Sequence, residues 1–205
     1  MDTYYPGWTS GLLSQNKKEK LVSYNQWLLT DGIKKGLISN KSKDYVWHEF
    51  VIHSLGFGLI IDKKYKSKTI CDLGTGAGIP GIPIAIMHSK KKVYLVDRSE
   101  KRIFELERLK NLFDIKNIEP VLSSAEFFVS KNIEDIGIYV SRCFMPSVKI
   151  INDIFTDENH QIEALLVSSN NKKKEIKENS QFHVKQEEIL INKRARRNID
   201  VITFK

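Results

Sequence analysis

Residues 71–81 read Cys71-Asp72-Leu73-Gly74-Thr75-Gly76-Ala77-Gly78-Ile79-Pro80-Gly81. The preceding run, Thr69 to Leu73, is short and apolar and reads as a buried strand; the following one, Gly81 to Met87, is apolar enough for a helix packed on a sheet. A glycine-rich turn between a strand and a helix is the context in which such motifs are informative. Glycines there let the backbone take left-handed angles and let a ligand approach with no Cβ in the way.

Two ligand classes fit this turn. Gly76, Gly78 and Gly81 have the GxGxxG spacing of a dinucleotide fold, and Asp97 lies about 20 residues on, where a ribose-binding acid belongs. Against a nicotinamide cofactor, Asp72 stands where a carboxylate repels a pyrophosphate, and Pro80 removes an amide where the helix begins. S-adenosylmethionine has no phosphate. Its site must hold a cationic methionine moiety and a ribose diol, tasks suited to Asp72 and Asp97 respectively. The cofactor role is the one expected of Asp72; the alternative is a strand-end residue that caps the turn.

Outward from the turn, Lys92 to Val96 reads as a strand closed by Asp97, and Glu100 to Phe113 as an amphipathic helix with Ser99 as its N-cap. Strands are predicted at Ile118 to Leu122 and Gly137 to Val140, with a helix from Ala125 to Ile133 between them. Beyond Pro146 come a helix from Val148 to Phe155, a strand from Gln161 to Val167 and an exposed lysine-rich loop from Ser168 to Asn179. Phe182 to Ile191 and Ile199 to Phe204 alternate as an antiparallel hairpin does. On the N-terminal side, helical spacing marks Lys17 to Leu29 and Asp44 to Leu59, while residues 1–15 read as a mobile or loosely packed arm. Alternating strands and helices predict an α/β fold with a mostly parallel sheet. A helical extension, residues 1–68, precedes a cofactor domain, residues 69–205.

The 205 residues suffice for one well-buried core. No segment approaches the roughly 20 apolar residues of a membrane helix, and the N-terminus lacks the pattern of a secretory signal. Cys71 and Cys143 lie far apart and the histidines are scattered, so neither a disulfide nor a metal site is expected. A cytoplasmic monomer is expected. The net charge of +8 is concentrated in lysine runs and in Lys193, Arg194, Arg196 and Arg197. Lysine runs fit a solvated surface as well as an RNA contact; Arg194, Arg196 and Arg197 on an apolar, β-like tail point to a polyanion.

DLGTGAGIPGIPIAI from Asp72 and YLVDRSEKRIFELERL from Tyr94 closely resemble the bacterial small-subunit (16S) rRNA guanine-N7 methyltransferase family called glucose-inhibited division protein B. Pro80-Gly81 and Lys101-Arg102 carry more of the likeness than the glycines alone. HEFVIHSL at His48 to Leu55, NIEPVLSSAE at Asn117 to Glu126 and VSRCF at Val140 to Phe144 extend it. The resemblance implies a class I methyltransferase fold using S-adenosylmethionine. It implies that Gly74, Gly76, Gly78, Asp97, Ala125 and Glu126 line the cofactor pocket and that Lys101, Arg102 and Arg142 face the RNA or the target guanine. Arg142, at the end of the fourth strand, is the candidate catalytic residue: its guanidinium can bind a phosphate or the O6 and N7 edge of guanine.

The departures from the family are specific. Phe50 and His53 stand at the histidine and aspartate of an HxxDSL signature, Ser124 replaces the arginine of an RAE motif, and Ser168-Ser169 stands where a Lys-Gly pair is usual. These keep open a protein that binds RNA without turnover. The chemistry implied is modest, because guanine N7 has an in-plane lone pair and no proton to remove, so alignment matters more than a base. The Asn or Asp followed by Pro-Pro and an aromatic residue that serves exocyclic amines is absent from Ser141-Arg142-Cys143-Phe144-Met145-Pro146. Cys143 reads as a lone buried thiol rather than as the nucleophile of a cytosine carbon-5 enzyme. Phe144 fits either a base-stacking ring or a core residue.

Overall fold

The computed structural model describes residues 4–132, 135–155, 162–169 and 182–204. A run of helical segments comes first: α1 (Gln15–Trp27), continued by a wider π-helical turn at Leu28–Gly32, then α2 (Lys43–Tyr45), a second π-helical stretch at Val46–Ile52, and α3 (His53–Lys64). Strands and helices then alternate as β1 (Thr69–Leu73), α4 (Gly81–Met87), β2 (Lys92–Asp97), α5 (Glu100–Leu112), β3 (Ile118–Leu122), α6 (Ala125–Asn132), β4 (Ile138–Ser141), α7 (Ser147–Ile154) and β5 (Ala164–Ser169). The hairpin β6 (Phe182–Leu190) and β7 (Arg196–Phe204) completes the order.

One seven-stranded sheet results, ordered β3-β2-β1-β4-β5-β7-β6. The first five strands run parallel, and β7 lies antiparallel between β5 and β6. Each central strand has apolar side chains on both faces, as a sheet covered on both sides requires. In β2, for example, Val93 and Leu95 join the cluster under α1, α3, α4 and α5, whereas Val96 and partly buried Tyr94 join the cluster under α6 and α7. The first cluster also holds Leu21, Tyr24, Leu55 and Ile61. Side chains from both sides of residue 68 therefore share one core.

Strand order reverses between β1 and β4, and a crevice opens outside the carboxyl ends of strands at such a switch point. The register pairs Leu73 with Val96 and Asp97 with Leu122, so the tips of β1, β2 and β3 share one edge.

Two local expectations are corrected and a third is refined. The first residues are packed: the Trp8 indole N–H donates to Leu190 O at 2.8 Å, that of Trp47 donates to Tyr4 O at 2.8 Å, and Tyr5 meets Trp47 edge-on at 5.2 Å. Irregular chain rich in aromatics can bury area and satisfy its donors without any period. Ser99 is the N-cap of α5 as expected, but caps through its backbone rather than its side chain: its carbonyl accepts from Arg102 and Ile103 N–H, and its own N–H is held by Asp97. The fifth strand continues through Ser168 and Ser169, because β7 pairs with it there, Ser168 opposite Ile199 and Ser169 opposite Asn198. The predicted lysine-rich loop beyond Ser169 lies outside the described residues.

Candidate cofactor and nucleic-acid site

The loop after β1 is built around two carboxylates. Asp72 is fully enclosed, and its Oδ2 accepts from Thr75 Oγ1 at 2.7 Å and from Gly81 N at 2.8 Å. Of its two readings, the structure gives Asp72 the second: it caps the turn from beneath rather than lining the cleft. Burial, the largest influence, pushes its carboxyl up to about 7, against the lowering effect of those two hydrogen bonds. Asp97, 4% exposed, accepts from Gly76 N at 3.0 Å and from Ser99 N at 3.0 Å. The first carboxylate thus ties the loop to α4 and the second ties it to β2.

This bracing consumes the amides that a pyrophosphate needs. Gly74 and Thr75 N–H donate to Val96 O, Gly78 and Ile79 N–H to Thr75 O, and Ile82 N–H to Gly78 O. Gly76 and Gly81 are held by the two aspartates, and Pro80 and Pro83 have no N–H. A dinucleotide phosphate usually binds the amides at such a helix start, and here those of Gly74, Thr75, Gly76, Gly78, Ile79, Gly81 and Ile82 are spent. Gly74, Gly76 and Gly78 all take positive φ, at 69°, 60° and 91°. At Gly74 a Cβ would also lie 2.3 Å from the Phe144 ring, so that ring seats directly on the loop.

Beside the loop is a cleft of about 440 Å³ lined by Gly74, Val96, Asp97, Ser124, Ala125 and Glu126, with Arg98, Arg102, Phe144 and Lys149 around it. Ligand pockets run from roughly 300 to 1,000 Å³. Gly74, Asp97, Ala125 and Glu126, distant in sequence, are thus brought together. Gly76 borders the group through its bond to Asp97, whereas at Gly78 a Cβ would strike Ile82 and Leu106 of the core. Glu126 is exposed; α6 is capped instead by Ser124, whose Oγ accepts from Phe127 N at 3.2 Å. The residue standing for the family's arginine therefore starts the helix.

The basic residues separate into distinct settings. Lys101 is exposed on α5, but Arg102 turns back into the cleft, its Nη1 3.1 Å from Asp97 Oδ2. Arg142 is not among the residues lining the cleft; its Cζ is 4.9 Å from the centre of the Phe50 ring and its Nε is enclosed without a hydrogen-bond partner among the described residues. Arg197 forms a two-pronged ion pair with buried Glu49, Nε to Oε2 at 3.0 Å. Arg194 and Arg196 are exposed at the β6–β7 turn. Arg197 is thus set apart from the two arginines with which the sequence reading grouped it, because β7 brings it against the π-helical stretch Val46–Ile52.

Residues 49, 50 and 53 are the ones the sequence reading missed as a site. His53 is buried with both ring nitrogens unpartnered, and burial, then the charges of Arg142 and Arg197, push its imidazole down to about 3, so it is neutral near pH 7. Only the departure of Phe50 and His53 from the signature marked them. Cys143 is corrected too: it is exposed, at φ 55°, and lines the cleft, because the chain turns outward after β4. Among the described residues no group of three or more histidine, cysteine, aspartate or glutamate side chains is placed to hold a metal, and no helix is long and apolar enough to cross a membrane.

Strand order, switch-point cleft and loop together define the Rossmann-like fold of the class I S-adenosylmethionine-dependent methyltransferases. The human methyltransferase 10 domain containing protein matches it with a TM-score of 0.55 at 10% identity, over 92% of this chain and 98% of that one. TrmK of M. capricolum, solved with S-adenosyl-homocysteine, matches with a TM-score of 0.52 at 18% identity, over 74% of this chain and 67% of that one. At these identities the likeness speaks for the fold alone. The chain belongs to the family described as rRNA small subunit methyltransferase G, whose model matches residues 17–199. Proteins of that name from Flavobacterium johnsoniae and Chlorobium phaeobacteroides are 30% identical over 145 residues and 31% identical over 172. These matches cover 67% and 78% of this chain, and 66% and 77% of the relatives. A Corynebacterium glutamicum relative, 31% identical, matches over 64% of this chain and 58% of its own length. The match thus spans slightly less than two thirds of the Flavobacterium protein and less of the Corynebacterium one.

Proposed function

We propose that this protein transfers a methyl group from S-adenosylmethionine to N7 of a guanine in small-subunit ribosomal RNA. The observation that carries the reading is Arg142: a guanidinium at the end of β4, beside the cofactor loop, whose charge no carboxylate pairs among the described residues. The nearby Glu49 is taken by Arg197. Such a group is suited to an acceptor brought by a ligand, either a phosphate or the O6 of a purine.

The cofactor fits the cleft beside the loop. Asp97 sits at the tip of β2 with its carboxylate toward the cleft, where it can accept from a ribose diol once Arg102 yields its place. Ser124 and Ala125 border the wall where an adenine edge would lie, and the spent amides of the loop ask for no phosphate. Bound there, S-adenosylmethionine supplies an electrophilic methyl group. The chain's own work is to align and exclude water: Phe144 closes over Gly74, and Arg142 holds O6 while N7 keeps its lone pair. N7 carries no proton, so a neutral, enclosed His53 and the absence of a general base beside Arg142 among the described residues cost nothing.

Ser124 and Ser168-Ser169, at the arginine and Lys-Gly positions of the family, favour one second reading, a protein that binds RNA and cofactor without turnover. Transfer of labelled methyl to small ribosomal subunits and to free rRNA, followed by nucleoside analysis, separates the two. Formation of 7-methylguanosine, lost in Arg142→Ala with cofactor affinity retained, supports the enzyme. Cofactor binding with no transfer to either RNA supports the second reading, and a different modified nucleoside overturns the specificity.

A further inference from the structure

A guanidinium can be held in place by a carboxylate or by an aromatic face, and the two leave it in different states. A carboxylate fork consumes in-plane N–H donors. An aromatic ring attracts the cation through its face and leaves the five donors unspent.

Arg142 is held in the second way. Its Cζ lies over the Phe50 ring at 4.9 Å, and Phe50 is itself steadied by Tyr45, edge-on at 5.7 Å. Of the carboxyls that feel its charge, Glu49 is occupied in two places by Arg197, and Asp72 is sealed beneath the loop on Thr75 and Gly81. His53 presents a neutral ring and meets Phe57 at a tilt, centroids 5.6 Å apart. Among the described residues Arg142 has no hydrogen bond or ion pair, and its Nε is enclosed.

We propose that Phe50 is a positioning residue: its ring fixes the Arg142 guanidinium while leaving the Nη donors unspent for the target guanine. Position 50 thereby acts on RNA substrate and not on cofactor, since Phe50 touches Arg142 and is not among the residues lining the cleft. The inference rests on the guanine-N7 reading above. It makes the aromatic face, rather than any acid, the group that orients Arg142.

The test is steady-state methyl transfer to small ribosomal subunits by wild type, Phe50→Leu and Phe50→Tyr, repeated in an Arg142→Lys background. Phe50→Leu is expected to lower kcat/KM for the RNA substrate about ten-fold, with cofactor affinity unchanged. Phe50→Tyr, which keeps the face, stays within about two-fold of wild type. In the Arg142→Lys background, where no planar fork needs orienting, Phe50→Leu adds less than about three-fold. The inference is overturned if Phe50→Leu matches wild type, if Phe50→Tyr falls as far as Phe50→Leu, or if the full loss persists in the Arg142→Lys background. A wild type that forms no 7-methylguanosine overturns the functional reading and this inference with it; an active wild type indifferent to Phe50 overturns this inference alone.

Discussion

Replacing Asp72 by asparagine should make the protein's stability less sensitive to pH. Asp72 is sealed beneath the glycine loop, and burial, only partly offset by the Thr75 and Gly81 hydrogen bonds, raises its carboxyl from an ordinary 3.8 to about 7. The sign follows from linkage. An acid whose folded pKa lies above its unfolded one binds its proton more tightly when folded, so its contribution is fully present below about pH 4 and is lost as pH rises toward 7. Each pH unit in that window is worth about 1.36 kcal/mol, so the loss is on the order of 4 kcal/mol, a large share of the roughly 5–15 kcal/mol that a domain possesses. In Asp72→Asn the new side chain mimics the protonated acid: its amide oxygen can take over the bonds from Thr75 Oγ1 and Gly81 N. Urea unfolding followed by the fluorescence of Trp8, Trp27 and Trp47, at several pH values from 4.5 to 8, measures the difference. The two proteins should diverge as pH rises to about 7, the variant losing less stability, and keep a constant difference above it. Parallel curves between pH 4.5 and 7 would refute the assignment of a turn-capping Asp72 with a raised pKa.

Asp97→Ala should reduce S-adenosylmethionine affinity at least about 100-fold by calorimetry, since two charge-assisted bonds to a ribose are each worth roughly 1.5–3 kcal/mol; unchanged affinity would remove Asp97 from the site. In Gly81→Ala the new Cβ would lie 2.2 Å from Leu95 Cδ2 and 2.8 Å from Asp72 Oδ2. Such overpacking costs about 1–3 kcal/mol, which a lowered urea midpoint at constant slope would register. Arg194→Ala should flatten the salt dependence of RNA binding by about one unit of slope. Arg197→Ala should instead lower the melting temperature by stranding Glu49, at about 1–3 kcal/mol because Arg197 is 41% exposed. Equal effects of the two arginines on RNA binding would contradict this division.

Much of the α/β core was legible along the chain. Thr69–Leu73, Gly81–Met87 and Ile118–Leu122 fall where the apolar runs and their boundaries predict, because a strand buried on both faces must be apolar and must end where the chain turns. The Gly74 to Gly81 loop was legible for a related reason: positive φ and close approach are local demands, and only glycine meets them cheaply. The N-terminal packing was not. Trp8, Trp47 and Tyr5 contribute through contacts of single rings with distant backbone, which leave no periodicity to detect.

By itself, then, the sequence determined a strand, a glycine turn and a helix in succession, with acids at Asp72 and Asp97 and a family resemblance strong enough to name the cofactor. Only the tertiary structure decided which acid faces the cleft. Asp72 lies on the strand face covered by α4 and is sealed by Gly81, while Asp97, at the tip of β2, reaches the open edge. It likewise decided which arginines carry unspent charge. Glu49 and Arg197, 148 positions apart, neutralise each other, and Arg142 is left against Phe50. The physical reason is common to both cases: a side chain's charge and reach are written in its identity, but its solvent and its partners are set by elements that meet only when the sheet closes.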